Sequence, residues 1–345
     1  MDLELLHENV SKAISSLDFE RIWPSFRPLR FALYDAERCF FDGNYIEKTD
    51  EFCANTSISY RGEQIAIWMV QEELDIPTLT SKIVHEMFHG YQNLKGWDCW
   101  PNELEALYRY RYDSTNLGIK LHENELLLSL LDHFDDAALK ELLSFRKRRN
   151  MERPYEFLYE SKVEEIEGTA NYVEWQVLKQ LDENKAQELV ERMRTLITKP
   201  EYLFPIRISC YFTGALTIHA LRAAGTYSFE TDTRPTIFSR LEGVSPRKGT
   251  FADDAGIIQS ASLAIRAFQQ ETKAIVDAAL EKNNVALEGP FELVGVNVYN
   301  ARRLNEFLTT THFVMYKDGP ENKMLQGDFV IKMKDEKTID VVYRQ

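Results

Sequence analysis

The sequence predicts an α+β protein, mainly helical, with a small antiparallel sheet near the N-terminus and a β-rich segment at the C-terminus. Three observations predict it. Between about Phe31 and Val70 the chain consists of short runs rich in β-branched and aromatic residues. From Thr78 to about Glu281 apolar residues recur at helical spacing. From Phe291 onward short alternating runs return, separated by turn residues such as Asp318-Gly319-Pro320. The chain is thereby expected to divide into 1–77, 78–283 and 284–345, with the softest boundary at Asn283-Asn284.

Taken in order, Leu3, Leu6, Val10, Ala13, Ile14 and Leu17 keep to one side of a helix. Phe31–Tyr34, Ser57–Tyr60 and Gln64–Val70 read as strands, and Arg61-Gly62 supplies a hairpin turn between the last two. Pro77-Thr78-Leu79-Thr80 carries helix-start signals and Gly96 a stop. At the other end, Phe291–Tyr299, Phe313–Tyr316, Phe329–Met333 and Thr338–Tyr343 alternate with a period of two. That pattern predicts a sheet with one wet face, available to cover an active site or to recruit a partner.

The 345 residues suffice for one large or two modest domains with a substantial core. Lys and Arg number 41 against 55 Asp and Glu, a net charge of −14. Nucleic acid and anionic membrane both demand a basic surface, so neither is expected as a partner. Met1 to Glu8 lacks the pattern of a secretory leader, and no apolar run approaches a bilayer span, so the expected compartment is cytoplasmic. Cys39, Cys53, Cys99 and Cys210 stand far apart and are expected to be buried free thiols. The basic run Arg146-Lys147-Arg148-Arg149 is expected to close a helix beside a loop.

The chemistry rests on His85-Glu86-Met87-Phe88-His89, an H-E-x-x-H motif. On a helix, with His85 at zero, Ile83, Val84, Met87, Phe88, Tyr91 and Leu94 fall between about 160° and 300°, while His89 lies at about 40°. Both histidines therefore share the face opposite the apolar arc. One turn apart, two imidazoles can reach one ion at about 2.0–2.1 Å. Glu86, turned about 100° from His85, is placed to take a proton from a water on such an ion. A catalytic zinc needs a third protein ligand. One candidate is Glu167, on the shoulder of the apolar stripe formed by Val163, Ile166, Ala170, Val173, Val177 and Leu181. Gly168 behind it costs about 1 kcal/mol in a helix, which points to close packing against the backbone. Glu103 and Glu105, on a helix starting at Asn102, are rival ligands nearer in sequence to His89.

H-E-x-x-H together with Glu167-Gly168-Thr169-Ala170-Asn171-Tyr172 resembles the gluzincin metallopeptidases, most closely their aminopeptidase-N-like, peptidase-MA-type members. The resemblance is confined to the two motif helices and implies a zincin-like catalytic unit that cleaves peptide or protein substrates. It implies Zn²⁺ held by His85, His89 and Glu167, with Glu86 as general base. It further implies a downstream Tyr as oxyanion stabiliser, for which Tyr211 is the candidate and His219 an alternative. A residue four beyond Glu167, here Asn171, would steady a ligand histidine. The strand Gln64–Val70 would be an open edge that pairs with peptide. The 78 residues between His89 and Glu167 exceed the aminopeptidase spacing, so about Asn102 to Asn150 is expected to be an insertion. No Gly-Ala-Met-Glu-Asn-type segment is present, so exopeptidase specificity is not implied. A catalytically idle binding or regulatory protein, and a metal hydrolase of a non-peptide amide or ester, are the other functional readings of the same residues.

Overall fold

A computed structural model of the chain describes residues 2–72, 74–227, 229, 236–240, 244–245 and 255–345. The fold is α+β, with a small N-terminal sheet, a helical middle and a C-terminal antiparallel sheet.

Helix α1 (Leu3–Ser15) begins at Asp2, whose carboxylate accepts from the backbone of Glu4 and Leu5. After the short α2 (Phe19–Ile22) come β1 (Arg30–Tyr34), β2 (Cys39–Phe41), β3 (Asn44–Ile46), β4 (Thr56–Tyr60) and β5 (Glu63–Met69). Their order in the sheet is β3-β2-β1-β5-β4. The β4–β5 hairpin closes at Arg61-Gly62, both at positive φ, as a two-residue turn matching the strand twist requires. Two expectations need correction. The sheet is mixed, because β1 and β5 pair in parallel, Arg30 opposite Ile65 through Tyr34 opposite Met69. And β5 is internal, lying between β1 and β4, so the edge strand beside the motif helix is β4.

The motif helix α3 (Ile76–Leu94) starts at Asp75, which caps Thr78, and has Pro77 in its first turn, where a missing N–H costs nothing. It is followed by α4 (Glu103–Arg109), α5 (Ser114–Asp132), α6 (Asp136–Glu152) and α7 (Pro154–Val163). A single π turn, Glu164–Gly168, joins α7 to α8 (Thr169–Leu181). Then come α9 (Glu183–Thr198), α10 (Ile206–Ala223) and α11 (Ala255–Lys282). Among the helices, α3 packs most extensively on α8, and α10 lies against the π turn. The predicted apolar arc of α3 is buried at Ile83, Val84, Met87 and Phe88, while Leu94 at its far end is exposed. The opposite face is buried too, at Thr80, Ser81, His85, His89 and Gln92, because α8 covers it.

The C-terminal sheet has the order β10-β9-β6-β12-β11-β8-β7, every pairing antiparallel. Its strands are β6 (Val285–Val296), β7 (Arg302–Leu304), β8 (Phe307–Thr310), β9 (Phe313–Asp318), β10 (Glu321–Gln326), β11 (Phe329–Met333) and β12 (Thr338–Arg344). Strand β11 has no exposed residue, whereas β6 keeps Glu288, Pro290 and Glu292 exposed along one side. Leu293, Leu308, Ile331, Ile339 and Val342 form one cluster, onto which Leu104, Leu107 and Tyr108 of α4 pack. Val330, one residue from Ile331 and so on the other face, meets Val276 and Ala279 of α11. The sheet is thereby seated on the helical unit from both sides.

Cys39, Cys99 and Cys210 are buried and in no disulfide, as expected, but Cys53 is exposed. The basic run does lie at the C-terminal end of α6, but Arg146 and Arg149 are 1 % exposed and sit inside the helical unit, where they join Lys120, Glu123, Glu160 and Glu164 in a closed network of three cations and three carboxylates. No helix among the described residues is long and apolar enough to cross a membrane.

Candidate metal centre

His85 and His89 stand one turn apart on α3, and Glu167 reaches them from the π turn. His89 Nε2 lies 3.2 Å from His85 Nε2 and 3.2 Å from Glu167 Oε2, and His85 Nε2 lies 3.7 Å from the same oxygen. Ligand atoms of a tetrahedral zinc with bonds of about 2.0–2.1 Å stand about 3.3 Å apart, so the three atoms already have the spacing of one face of that tetrahedron. Among the described residues this is the group of His and carboxylate atoms whose convergence suits an ion.

The surroundings fix which atoms face the centre. The Gln92 amide nitrogen donates to the Ile166 carbonyl at 2.8 Å and to Thr169 Oγ1 at 2.9 Å. Its oxygen therefore faces His89 Nδ1, 2.7 Å away, and takes that proton. This leaves the His89 Nε2 lone pair directed at the centre. His85 Nδ1 faces Glu174 Oε2 at 3.3 Å, and Lys82 stands 3.6 Å from the other oxygen of Glu174. Glu167 divides its carboxylate, Oε2 toward the histidines and Oε1 accepting from Arg207 Nη2 at 2.5 Å.

Electrostatics favour a positive charge here. Burial alone would push His85 down, but hydrogen bonds to Glu167 and Glu174 outweigh it and bring it up to about 10. Glu174 goes the opposite way, to about 2, because His85 and Lys82 overcome the burial penalty. Burial works likewise against Glu167, and the histidines with Arg207 hold it well below the ordinary carboxylate range. Glu86 is half-buried, and burial raises it, helped by the charges of Glu167 and Glu174 and opposed by the histidines. It makes no hydrogen bond or ion pair among the described residues, so its carboxylate is free to exchange a proton.

Close packing holds Glu167 in place. A Cβ on Gly168 would lie 2.5 Å from Gly214 Cα in α10, so the two helices meet backbone to backbone. One turn earlier Glu164 accepts a fork of hydrogen bonds from Arg146, both 2.7 Å, and one from Thr213 at 2.6 Å. π turns recur at functional sites, and this one puts the Glu167 carboxylate between two clamps.

The rival ligands lie elsewhere. Glu103 pairs with Arg207 and accepts from Tyr159 at 2.7 Å, one side chain removed from the histidines. Glu105 pairs with Arg109 along its own helix. Asn171 is buried, but it is Glu174 that meets His85. The sequence carried a signal for it. Helix α8 runs antiparallel to α3, so His85, one turn before His89, needs a partner further along α8, and position i+7 from Glu167 keeps the same face. His219 packs on Trp175, ring centroids 5.2 Å apart, and is not part of the centre. Tyr211 is. Its hydroxyl accepts from Arg207 at 3.1 Å and lies 2.8 Å from the Tyr299 hydroxyl. Tyr299, between β6 and β7, was not foreseen, because nothing local in the sequence links it to residues so far away. The segment from Asn102 to Asn150 forms α4, α5 and α6, and supplies Glu103 behind Arg207 and the buried cations behind Glu164.

Comparison with protein-family models, curated proteins and solved structures returns no match, so the arrangement of His85, His89, Glu167 and Glu86 is interpreted from its own geometry.

Proposed function

We propose that this chain is a zinc-dependent hydrolase that cleaves peptide bonds with Glu86 as general base. The observation that carries the reading is the convergence of His85 Nε2, His89 Nε2 and Glu167 Oε2 at tetrahedral spacing, beside an unpartnered carboxylate. Two imidazole nitrogens and one carboxylate oxygen are a donor set suited to catalytic zinc, which leaves a fourth position open. Zinc bound there would acidify a water toward neutrality and polarise the scissile carbonyl. Glu86 takes the proton of the attacking water and returns it to the leaving amine. Burial raises its pKa, which favours the return of the proton it accepts. Arg207 neutralises the second oxygen of Glu167, and Gln92 and Glu174 hold the two rings. An extended peptide can add to the β4 edge by main-chain hydrogen bonds. An idle binding protein has no use for a free, half-buried carboxylate at that point.

The test begins with metal analysis of purified protein, where one zinc per chain is expected. His85→Ala, His89→Ala and Glu167→Ala should lose it, and Glu105→Ala should keep it. A peptide-library digest with and without chelator then identifies cleavage. Glu86→Gln should retain zinc yet lose at least about 10²-fold in rate. Full zinc occupancy in both histidine variants, or undiminished cleavage by Glu86→Gln, would refute the reading.

A further inference from the structure

A cavity of about 400 Å³ lies where the edge strand β7 meets α4, α10 and α11. Cavities of this size hold small organic molecules. None of His85, Glu86, His89 and Glu167 lines it. One side is apolar, formed by Tyr112, Ile265, Phe268 and Val298. The other carries charge. Among the lining residues three guanidiniums, those of Arg207, Arg302 and Arg303, stand against one carboxylate, Glu103, in a chain of net charge −14. Arg207 is held by Glu103 and Glu167, and Arg302 by Glu271 at 3.0 Å. Arg303 makes no ion pair among the described residues. Its hydrogen bonds go to the carbonyls of Asn305 and Tyr108, at 2.9 and 3.1 Å, so its charge is not neutralised. Two polar atoms of the lining residues are buried and unpaired, Arg207 Nε and the Tyr108 hydroxyl, and Arg207 as a whole is 8 % exposed. The hydroxyls of Tyr110, Tyr112 and Tyr159 are by contrast engaged, with Glu160, the Ile206 N–H and Glu103. A guanidinium N–H can only donate. Burial raises the Tyr108 hydroxyl to about 12, so it too is a protonated donor at neutral pH. The unmatched guanidinium of Arg303 lies 4.3 Å from the centre of the Tyr108 ring, which brings free charge and free donor to one end of the cavity. That end calls for an acceptor with one negative charge, because Glu103 would repel a second. The planar fork of an arginine matches a carboxylate. Gln269, Arg303 and Asn305 are exposed and mark the mouth.

We propose that this cavity is a second binding site, for a small monocarboxylate with an aromatic or aliphatic body. The carboxylate pairs with Arg303 and accepts from the Tyr108 hydroxyl, and the body lies along Phe268 and Val298. The site does not depend on the hydrolase reading, since no candidate metal ligand lines it. The same chemistry is offered by a free acid and by the C-terminal carboxylate of a peptide.

The experiment uses the full-length protein as purified. The probes are benzoate, phenylacetate and 3-phenylpropionate, with their amides as neutral counterparts, titrated by ligand-observed NMR. At least one acid should bind with a Kd at or below about 1 mM, and its amide about tenfold more weakly or worse. Arg303→Gln, at an exposed position, should weaken the acid about tenfold. Tyr108→Phe keeps the ring under Arg303 and removes a hydroxyl that the free protein leaves unpaired. It should weaken the acid several-fold while melting no lower than wild type, whereas loss of a structural hydroxyl would lower the melting temperature. Arg194→Gln, a guanidinium on α9 outside the cavity, should leave the affinity unchanged. N-acetylglycylphenylalanine with a free C-terminus distinguishes the sources. Tighter binding than 3-phenylpropionate identifies a peptide end, weaker binding a free acid, and either supports the site provided that Arg303→Gln weakens it. Four results overturn the proposal: no binding of any of the three acids at about 5 mM, equal affinity of acid and amide, wild-type affinity in Arg303→Gln, or an equal loss in Arg194→Gln. Wild-type affinity in Tyr108→Phe overturns the part assigned to Tyr108.

Discussion

Replacing Gly168 by Ala tests how Glu167 is held. An added Cβ would stand 2.5 Å from Gly214 Cα, 3.0 Å from its carbonyl carbon and 3.2 Å from Ala215 N. All three are backbone atoms, so no rotamer change relieves the contact. Carbon atoms settle at about 3.5–4.0 Å, so α10 and the π turn must separate by about 1 Å. Overpacking of this kind costs about 1–3 kcal/mol, and here it belongs at the upper end. Alanine recovers about 1 kcal/mol of helix propensity. The net expectation is about 1–2 kcal/mol of destabilisation, measured by chemical denaturation of metal-free protein. The same displacement acts on the adjacent Glu167 carboxylate, 3.2 Å from His89 Nε2. Zinc affinity, measured by competition with a chromophoric chelator, should fall at least about 10-fold, as it does when a ligand's support is removed. Gly214→Ala makes the reciprocal clash, its Cβ 2.7 Å from Gly168 Cα and from the Glu164 carbonyl oxygen. Both substitutions open the same gap, so the double variant should cost less than the sum by about 1 kcal/mol. A Gly168→Ala protein as stable as wild type with unchanged zinc affinity, or strict additivity with Gly214→Ala, would refute the backbone contact as the device that sets Glu167.

Three further outcomes follow from the electrostatics. Glu174→Gln removes the carboxylate that steadies His85 and should weaken zinc binding about 10–100-fold without unfolding the protein, read by the same competition assay. Metal-free protein holds a proton on His85 at neutral pH, because its pKa stands at about 10, so zinc uptake at pH 7.5 should release about one proton. Calorimetry in buffers of different ionisation enthalpy reads it, and identical heats in all buffers would contradict the proton on His85. Glu164 is brought to about 2 by Arg146 and Lys120 against the burial penalty, below an unfolded value of about 4.3. A depressed carboxylate stabilises the fold above its unfolded pKa and loses that contribution as pH falls toward its folded one. Between about pH 5 and pH 2 wild type should lose about 3 kcal/mol through this group, and Glu164→Gln should show a correspondingly flatter profile.

The features legible in the sequence were those written in local periodicity. The α3 helix, its caps and its paired histidines needed only the 3.6-residue repeat. Glu167 was legible as a carboxylate on the shoulder of an apolar stripe, and Gly168 as a close approach whose partner, Gly214, no local pattern could name. What escaped depended on pairing between distant segments. The parallel β1–β5 contact leaves no trace in either strand, because alternation encodes the face of a strand and not its direction. The burial of Arg146 and Arg149 escaped for a related reason. Their helix is polar in pattern, and the carboxylates that accept them sit on α5, α7 and the π turn. Tyr299 meets Tyr211 because the C-terminal sheet docks on Leu104, Leu107 and Tyr108, residues far from it in the chain.

The network of Lys120, Glu123, Arg146, Arg149, Glu160 and Glu164 has a consequence on the scale of descent. Each of the six is at most 2 % exposed, and each charge is neutralised by the others. Losing one member strands an opposite charge in the interior at about 3–5 kcal/mol, a large share of the roughly 5–15 kcal/mol that keeps a fold intact. Complete replacement by well-packed apolar side chains would be neutral or better, but every path to it by single substitutions crosses that barrier. The six positions are therefore expected to be inherited as a block. In an alignment of related chains they should be retained together or exchanged together, and a lineage that has lost the network should show it gone from α5, α6, α7 and the π turn at once. Surface pairs such as Arg194 with Asp132, free of that barrier, should drift one residue at a time.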